Sequence, residues 1–132
     1  MTESGSGGGD GVLVVDDDAD IRETILVILH RHGYAADVAS DGVEALDRLH
    51  AGGALPSLIL LDLMMPRMNG EEFRAAQLAD PRLAKVPVVV LSGARGVDEL
   101  SRRIGVEVLA KPFELSTLLE IVKRYCVPKR PG

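Results

Sequence analysis

The chain predicts a doubly wound α/β fold, an open parallel sheet with helices on both faces, and three observations carry that expectation. Short aliphatic runs alternate with longer segments of helical period, the text of repeated strand and helix units. The runs VLVV, LILL and VVVL are apolar at every position, which suits parallel strands covered on both sides. The length of 132 residues, 46% hydrophobic and 27% charged, fits one domain whose core needs no covalent staple.

Residues 1–11, MTESGSGGGDG, hold almost nothing to bury, and their Gly/Ser richness predicts a flexible tail. The folded domain is expected over residues 12–126, and 127–132 as a short tail in which Lys129 and Arg130 serve solubility. The first strand is expected over Val12–Asp16. Ile21, Ile25, Ile28 and Leu29 then fall at helical spacing, and Gly33 closes that helix after His30, Arg31 and His32, cations suited to the negative end of the dipole. A weaker strand follows at Tyr34–Ala39. Asp41 with Glu44 three residues on predicts a capping box, opening a helix whose buried stripe is Val43, Leu46 and Leu49 and which stops at Gly52 and Gly53. Further strands are expected over Ser57–Asp62, Pro87–Ser92 and Val106–Ala110, and further helices over about 70–78, 97–103 and 115–125. Five strands and five helices in strict alternation, joined by right-handed crossovers, place helices on both faces of the sheet.

Charge and composition exclude several classes of function. A formal charge of −5 and a pI near 5.1 lack the basic face that nucleic acid or an anionic membrane would need. Neither an apolar window of membrane-spanning length nor a basic and then apolar leader occurs, so a cytoplasmic domain without membrane insertion is expected. Cys126 has no cysteine to pair with inside the chain and reads as a structural thiol on a helix.

The polar residues are more informative than the apolar ones. The first strand ends at Asp16 and Asp17, the third at Asp62 and the fourth at Ser92, and Lys111 follows the fifth. All carboxyl ends of an open parallel sheet lie on one edge, so these five side chains are expected to converge there. One acidic pair can be a mere helix cap and one Ser or Lys a turn residue; the coincidence of all five points to a site. Carboxylates a few ångströms apart repel by a few kcal/mol per pair at an effective dielectric of about 20, so a cation must sit among them. A hard divalent ion with oxygen ligands answers this, and Mg2+ suits better than a softer metal because no His or Cys lies at a matching position. His30, His32 and His50 sit near helix ends and are expected to face solvent. Lys111 adds a second, fixed positive charge. A carboxylate beside a divalent cation, an ammonium and a hydroxyl is what acyl phosphate formation requires, because the carboxylate attacks while the cations offset charge on the phosphoryl oxygens. Asp18 and Asp20 open the first helix and read as capping residues, not ligands.

The segments VLVVDDD, LILLDLMMPRMNG, VVVLSG and AKPF, in this order and spacing, resemble the receiver domain of two-component response regulators, the family of the single-domain chemotaxis regulator. The resemblance spans about residues 11–125 and implies a flavodoxin-like (βα)5 sheet with strand order 2-1-3-4-5. It implies a phosphorelay function in which Asp62 is the phosphoacceptor and Mg2+ is held by Asp16, Asp17, Asp62 and the backbone carbonyl of Met64. It further implies that Ser92 moves onto the phosphoryl group, that Lys111 pairs with it and that Pro112 is the family's cis proline. Pro66 and Gly70 match the turn after the acceptor, where glycine permits positive φ. The implied partners are a histidine kinase or phosphotransfer protein and a downstream effector protein, with the domain a monomer or a weak phosphorylation-dependent dimer. Such a domain is not an enzyme acting on other substrates; it promotes only its own phosphorylation and dephosphorylation.

Two features depart from the family pattern. Ser92 and Lys111 are 19 residues apart, about one helical turn short, and the position three before Lys111, often aromatic in relatives, is Val108. Both fall on the face of the last strand and its flanking helices, so a swinging aromatic side chain is not expected as the readout. Met64 and Ala94, two residues beyond the acceptor and the hydroxyl, cannot orient an attacking water through a side-chain hydrogen bond, which predicts a long-lived acyl phosphate. The alternatives are a pseudo-receiver that binds partners without phosphorylation and a haloacid-dehalogenase-type phosphatase, whose paired aspartates Asp16 and Asp18 mimic. That phosphatase would need an acidic pair after the lysine, and only Glu114 and Glu120 follow Lys111. The residues after Cys126 are too few for an output domain, so the signal is expected to pass by partner contact.

Overall fold

A computed structural model describes residues 11–51, 53–63, 68–93, 102 and 106–126. Five strands, β1 (Val12–Val15), β2 (Ala36–Ala39), β3 (Leu58–Asp62), β4 (Val88–Ser92) and β5 (Glu107–Ala110), form one parallel sheet in the order β2-β1-β3-β4-β5. The described helices are α1 (Ala19–Arg31), α2 (Gly42–His50), α3 (Gly70–Leu78) and α4 (Leu115–Tyr125). The fold is therefore the flavodoxin-like one expected, with order 2-1-3-4-5. Of the helix expected over 97–103 only Arg102 is described, and the expected tails 1–10 and 127–132 lie outside the described residues.

The two-residue period of the strands sorts their side chains into two cores. Val12, Val14, Leu58, Leu60, Val89 and Leu91 pack with Ile25 and Leu29 of α1 and with Leu118, Ile121 and Val122 of α4. Leu13, Val15, Ile59 and Leu61 face the other way, onto Ala45 and Leu49 of α2 and Phe73 of α3. Each such side chain taken from water stabilises the fold by about 1.5–3 kcal/mol, which is why strands apolar at every position sit in the middle of the sheet. All five residues of β3 are buried.

Helix α1 begins where Asp18 accepts hydrogen bonds from the amides of Asp20 (2.9 Å) and Ile21 (3.3 Å), and Gly33 follows its end at φ 85°. Ile25 and Leu29 are its buried stripe, with Ile21 and Ile28 half-buried against the same core. Helix α2 differs from expectation. Its buried residues are Gly42, Ala45 and Leu49, while Val43 and Leu46 are half-buried. Ala45 and Leu49, one turn apart, face the core, and Leu46 packs against its margin. Asp41 does accept from the Glu44 amide (2.9 Å), but the Glu44 carboxylate reaches past Asp41 to the amide and hydroxyl of Ser40 (2.8 and 2.7 Å). The two Ser40 bonds hold that carboxyl below its usual range.

A reciprocal capping box instead opens α3, where Asn69 and Glu72 each accept from the other's amide (2.8 and 3.0 Å). Gly70 is not among the positive-φ glycines of the described residues, which are Gly11, Gly33 and Gly53. Its role is space: a Cβ there would lie 2.8 Å from Leu63 Cα and 3.1 Å from the Asp62 carbonyl oxygen. From the last turn of α3 the fully buried Gln77 donates to the carbonyls of Leu83 (2.9 Å) and Val86 (3.0 Å) and accepts from Arg74 (2.8 Å), which folds the connection to β4 against the core. At the sheet margins Arg48 of α2 pairs with Asp37 of β2 (2.9 Å), and Arg124 of α4 pairs with Glu107 of β5 (2.8 Å). No described helix is long and apolar enough to cross a membrane.

Candidate functional site

Strands β1 and β3 are neighbours with Val15 beside Leu61, so Asp16, just past β1, and Asp62, at the end of β3, meet at the carboxyl edge. Asp16, Asp17 and Asp62 each offer a carboxylate oxygen within 4.8 Å of the others. Asp16 is fully buried, Asp62 is 6% exposed and Asp17 faces solvent. Strand β4 ends next along at Ser92, in register with Ala110, and the residue after Ala110 is Lys111. Its ammonium lies 2.8 Å from Asp16 Oδ2 and 3.8 Å from Asp62 Oδ2. The Lys111–Pro112 peptide is cis.

Every polar group of Asp16 is engaged. Its amide donates to the Ala39 carbonyl (3.1 Å), Oδ1 accepts from the Asp18 amide (2.9 Å), Oδ2 accepts from Lys111, and its carbonyl accepts from Arg22 Nη1 (2.7 Å). The edge therefore gathers Asp16, Asp17, Asp62 and Lys111, with the end of β4 between them. Met64, Pro66 and Ala94 lie outside the described residues. Asp18 caps α1, as expected, and does not join the cluster. The three histidines are exposed: His32 contacts the Ile28 carbonyl (2.9 Å) through Nδ1 and His50 lies 3.4 Å from Asp80. Arg22 is the residue that sequence reasoning misses. The available signal is a cation in the first turn of a helix, at the positive end of the dipole, beside a run of acids.

The donor set is all oxygen and sets three carboxylates against one ammonium, the composition a hard divalent cation fits.

A parallel sheet in this order, with an acidic pair after β1, a third acid ending β3 and a lysine after β5, defines a CheY-like receiver. The model of the response regulator receiver domain family matches residues 12–123, and the chain belongs to that family. It is 37% identical over 114 residues to the alkaline phosphatase synthesis transcriptional regulatory protein SphR of Synechococcus elongatus, covering 77% of this chain and 43% of that protein. It is 33% identical to protein Rrf1 of Nitratidesulfovibrio vulgaris, covering 86% of this chain and 80% of that one. The crystal structure of a response regulator receiver protein from Pseudomonas putida superposes with a TM-score of 0.80 at 33% identity, covering 90% of this chain and 99% of the other. The chain thus spans less than half the length of SphR. Phosphorylation on aspartate, Mg2+ binding in an acidic pocket and exchange with histidine kinases and effectors are general to the family.

Proposed function

We propose that this chain, through its domain at residues 12–126, is a cytoplasmic phosphorelay receiver that takes a phosphoryl group onto Asp62 from a histidine kinase or phosphotransfer protein. The observation that carries this reading is the cluster of Asp16, Asp17 and Asp62 with the Lys111 ammonium among them. A carboxylate oxygen of Asp62 attacks the phosphorus of a phosphohistidine, the new O–P bond forms as the N–P bond breaks, and the departing imidazole takes up a proton. Asp62, nearly buried, is shielded from competing water, and Lys111, already 3.8 Å from it, is within reach of a phosphoryl oxygen carried there. Ser92, at the end of β4, is assigned the hydroxyl that binds a second phosphoryl oxygen. Asp16, Asp17, Asp62 and the Met64 carbonyl would hold Mg2+, which supplies charge neutralisation for the transferring phosphoryl group.

Phosphorylation then shifts a two-state interaction surface toward the form an effector protein binds, with the domain a monomer or weak dimer. Val108 occupies the usual aromatic position, so the readout is a backbone or helix displacement, not an aromatic rotamer. With Met64 two residues beyond Asp62 and Ala94 two beyond Ser92 in the sequence, neither able to orient a water by a side-chain hydrogen bond, the acyl phosphate is long-lived; loss within seconds in Mg2+ buffer would contradict that point. The test of the assignment is intact-mass measurement after treatment with a small acyl phosphate donor and Mg2+. One phosphoryl mass is expected, absent in EDTA and in Asp62→Asn. An unmodified wild-type chain under these conditions would favour the pseudo-receiver.

A further inference from the structure

The half-buried guanidinium of Arg22 sits in the first turn of α1, where the helix dipole disfavours a cation. What it gains there is a 2.7 Å bond to the carbonyl oxygen of Asp16. That oxygen belongs to the planar peptide joining Asp16 to Asp17, so fixing it fixes the Asp17 nitrogen and Cα; the next peptide is held by the Asp18 amide on Asp16 Oδ1 (2.9 Å), and the two peptides together set the direction in which the Asp17 side chain leaves the backbone. Asp16 is otherwise anchored through its amide and both carboxylate oxygens. Asp17 is exposed, and among the described residues its carboxylate makes no hydrogen bond that would orient it. We propose that Arg22 is a positioning residue, which sets the Asp16–Asp17 peptide so that both carboxylates face one divalent cation. The proposal rests on the reading of this acidic cluster as the Mg2+ site.

Positioning and simple electrostatics predict opposite signs. Deleting a positive charge beside a cation site would by Coulomb's law alone tighten metal binding. Loss of an outer contact that orients a ligand weakens it, by roughly 10-fold in comparable sites. Calorimetric or NMR titration with MgCl2 distinguishes the two, with thermal unfolding in EDTA as a check on folding. Arg22→Met is expected to bind Mg2+ roughly 10-fold more weakly. Arg22→Lys, which keeps a donor of similar reach for this single bond, is expected to recover most of the affinity. If Arg22→Met does not stay folded in EDTA, Arg22→Gln carries the test, because it too loses the charge and shortens the reach. An affinity equal to or above wild type in the Met or Gln variant, or a Lys variant as weak as Met, overturns the proposal. A wild-type chain that binds no Mg2+ would overturn the reading of the site as well, whereas wild-type binding with an unchanged Met variant overturns the positioning role alone.

Discussion

Replacing Lys111 by methionine tests how the acidic edge is held together before any phosphoryl group arrives. The ammonium lies 2.8 Å from Asp16 Oδ2 and 3.8 Å from Asp62 Oδ2, and its side chain is only 19% exposed. Two unit charges about 4 Å apart at an effective dielectric of about 20 attract by about 4 kcal/mol, and desolvation of the ammonium offsets part of that. Breaking one side of a buried pair costs about 3–5 kcal/mol, because the partner charge stays buried and uncompensated. Lys111→Met leaves fully buried Asp16 in that position, and with some solvent reaching the lysine a loss of about 3 kcal/mol is expected in EDTA. In excess Mg2+ the added charge substitutes for the ammonium, and the loss should shrink to roughly 1 kcal/mol through ligand linkage. Urea unfolding followed by far-UV circular dichroism, in EDTA and in MgCl2, measures both values. A variant as stable as wild type in EDTA, or one equally destabilised in both buffers, would refute the charge-compensation argument.

Gln77→Leu fills the same space but removes the donor shared by the Leu83 and Val86 carbonyls, so a loss of about 3 kcal/mol is expected in urea unfolding, with phosphorylation of Asp62 unchanged. A change below about 0.5 kcal/mol would show that those carbonyls find other partners. Burial pushes the Cys126 thiol up to about 11. At pH 8 its thiolate fraction is then about 0.001, so labelling by a thiol reagent should run at least ~100-fold slower in the folded chain than in urea. The raised folded value means that the protein holds its full Cys126 contribution below the ordinary thiol range and loses it as pH rises toward 11; Cys126→Ala should flatten that alkaline decline.

The central strands are legible from sequence because burial on both faces removes polar residues from them, and VLVV, LILL and VVVL carry that imprint directly. The edge strand β2 is harder. Its residues ADVA include an exposed Asp37, and the strand starts at Ala36 instead of Tyr34 because the Tyr34 amide is spent closing α1 on the Leu29 carbonyl (2.9 Å). The α2 stripe is legible in part: Leu49 is buried and Leu46 packs against the core as their hydrophobicity predicts, Val43 is only half-buried, and the small Ala45, one turn before Leu49, is the buried position that a search for large apolar side chains passes over. The pattern of Asn69 with Glu72 three residues on carries the same capping signal as Asp41 with Glu44, yet only the first pair closes reciprocally. Convergence of Asp16, Asp17, Asp62 and Lys111 is legible because parallel strands share a carboxyl edge. That Lys111 lies nearer Asp16 than Asp62, and that Arg22 reaches a main-chain carbonyl, depends on side-chain geometry that residue types do not encode.

The ion pairs on the outermost strands bear on how the molecule behaves in a crowded solution. A parallel sheet that ends in β2 and β5 presents two rows of main-chain donors and acceptors that a neighbouring molecule can extend. Each row carries an acid, Asp37 or Glu107, clamped by an arginine from the next helix along the chain. A strand arriving at either border would have to lie against a charged pair, so the same contacts that tie helices to the sheet also act as gatekeepers against fibre-like polymerisation.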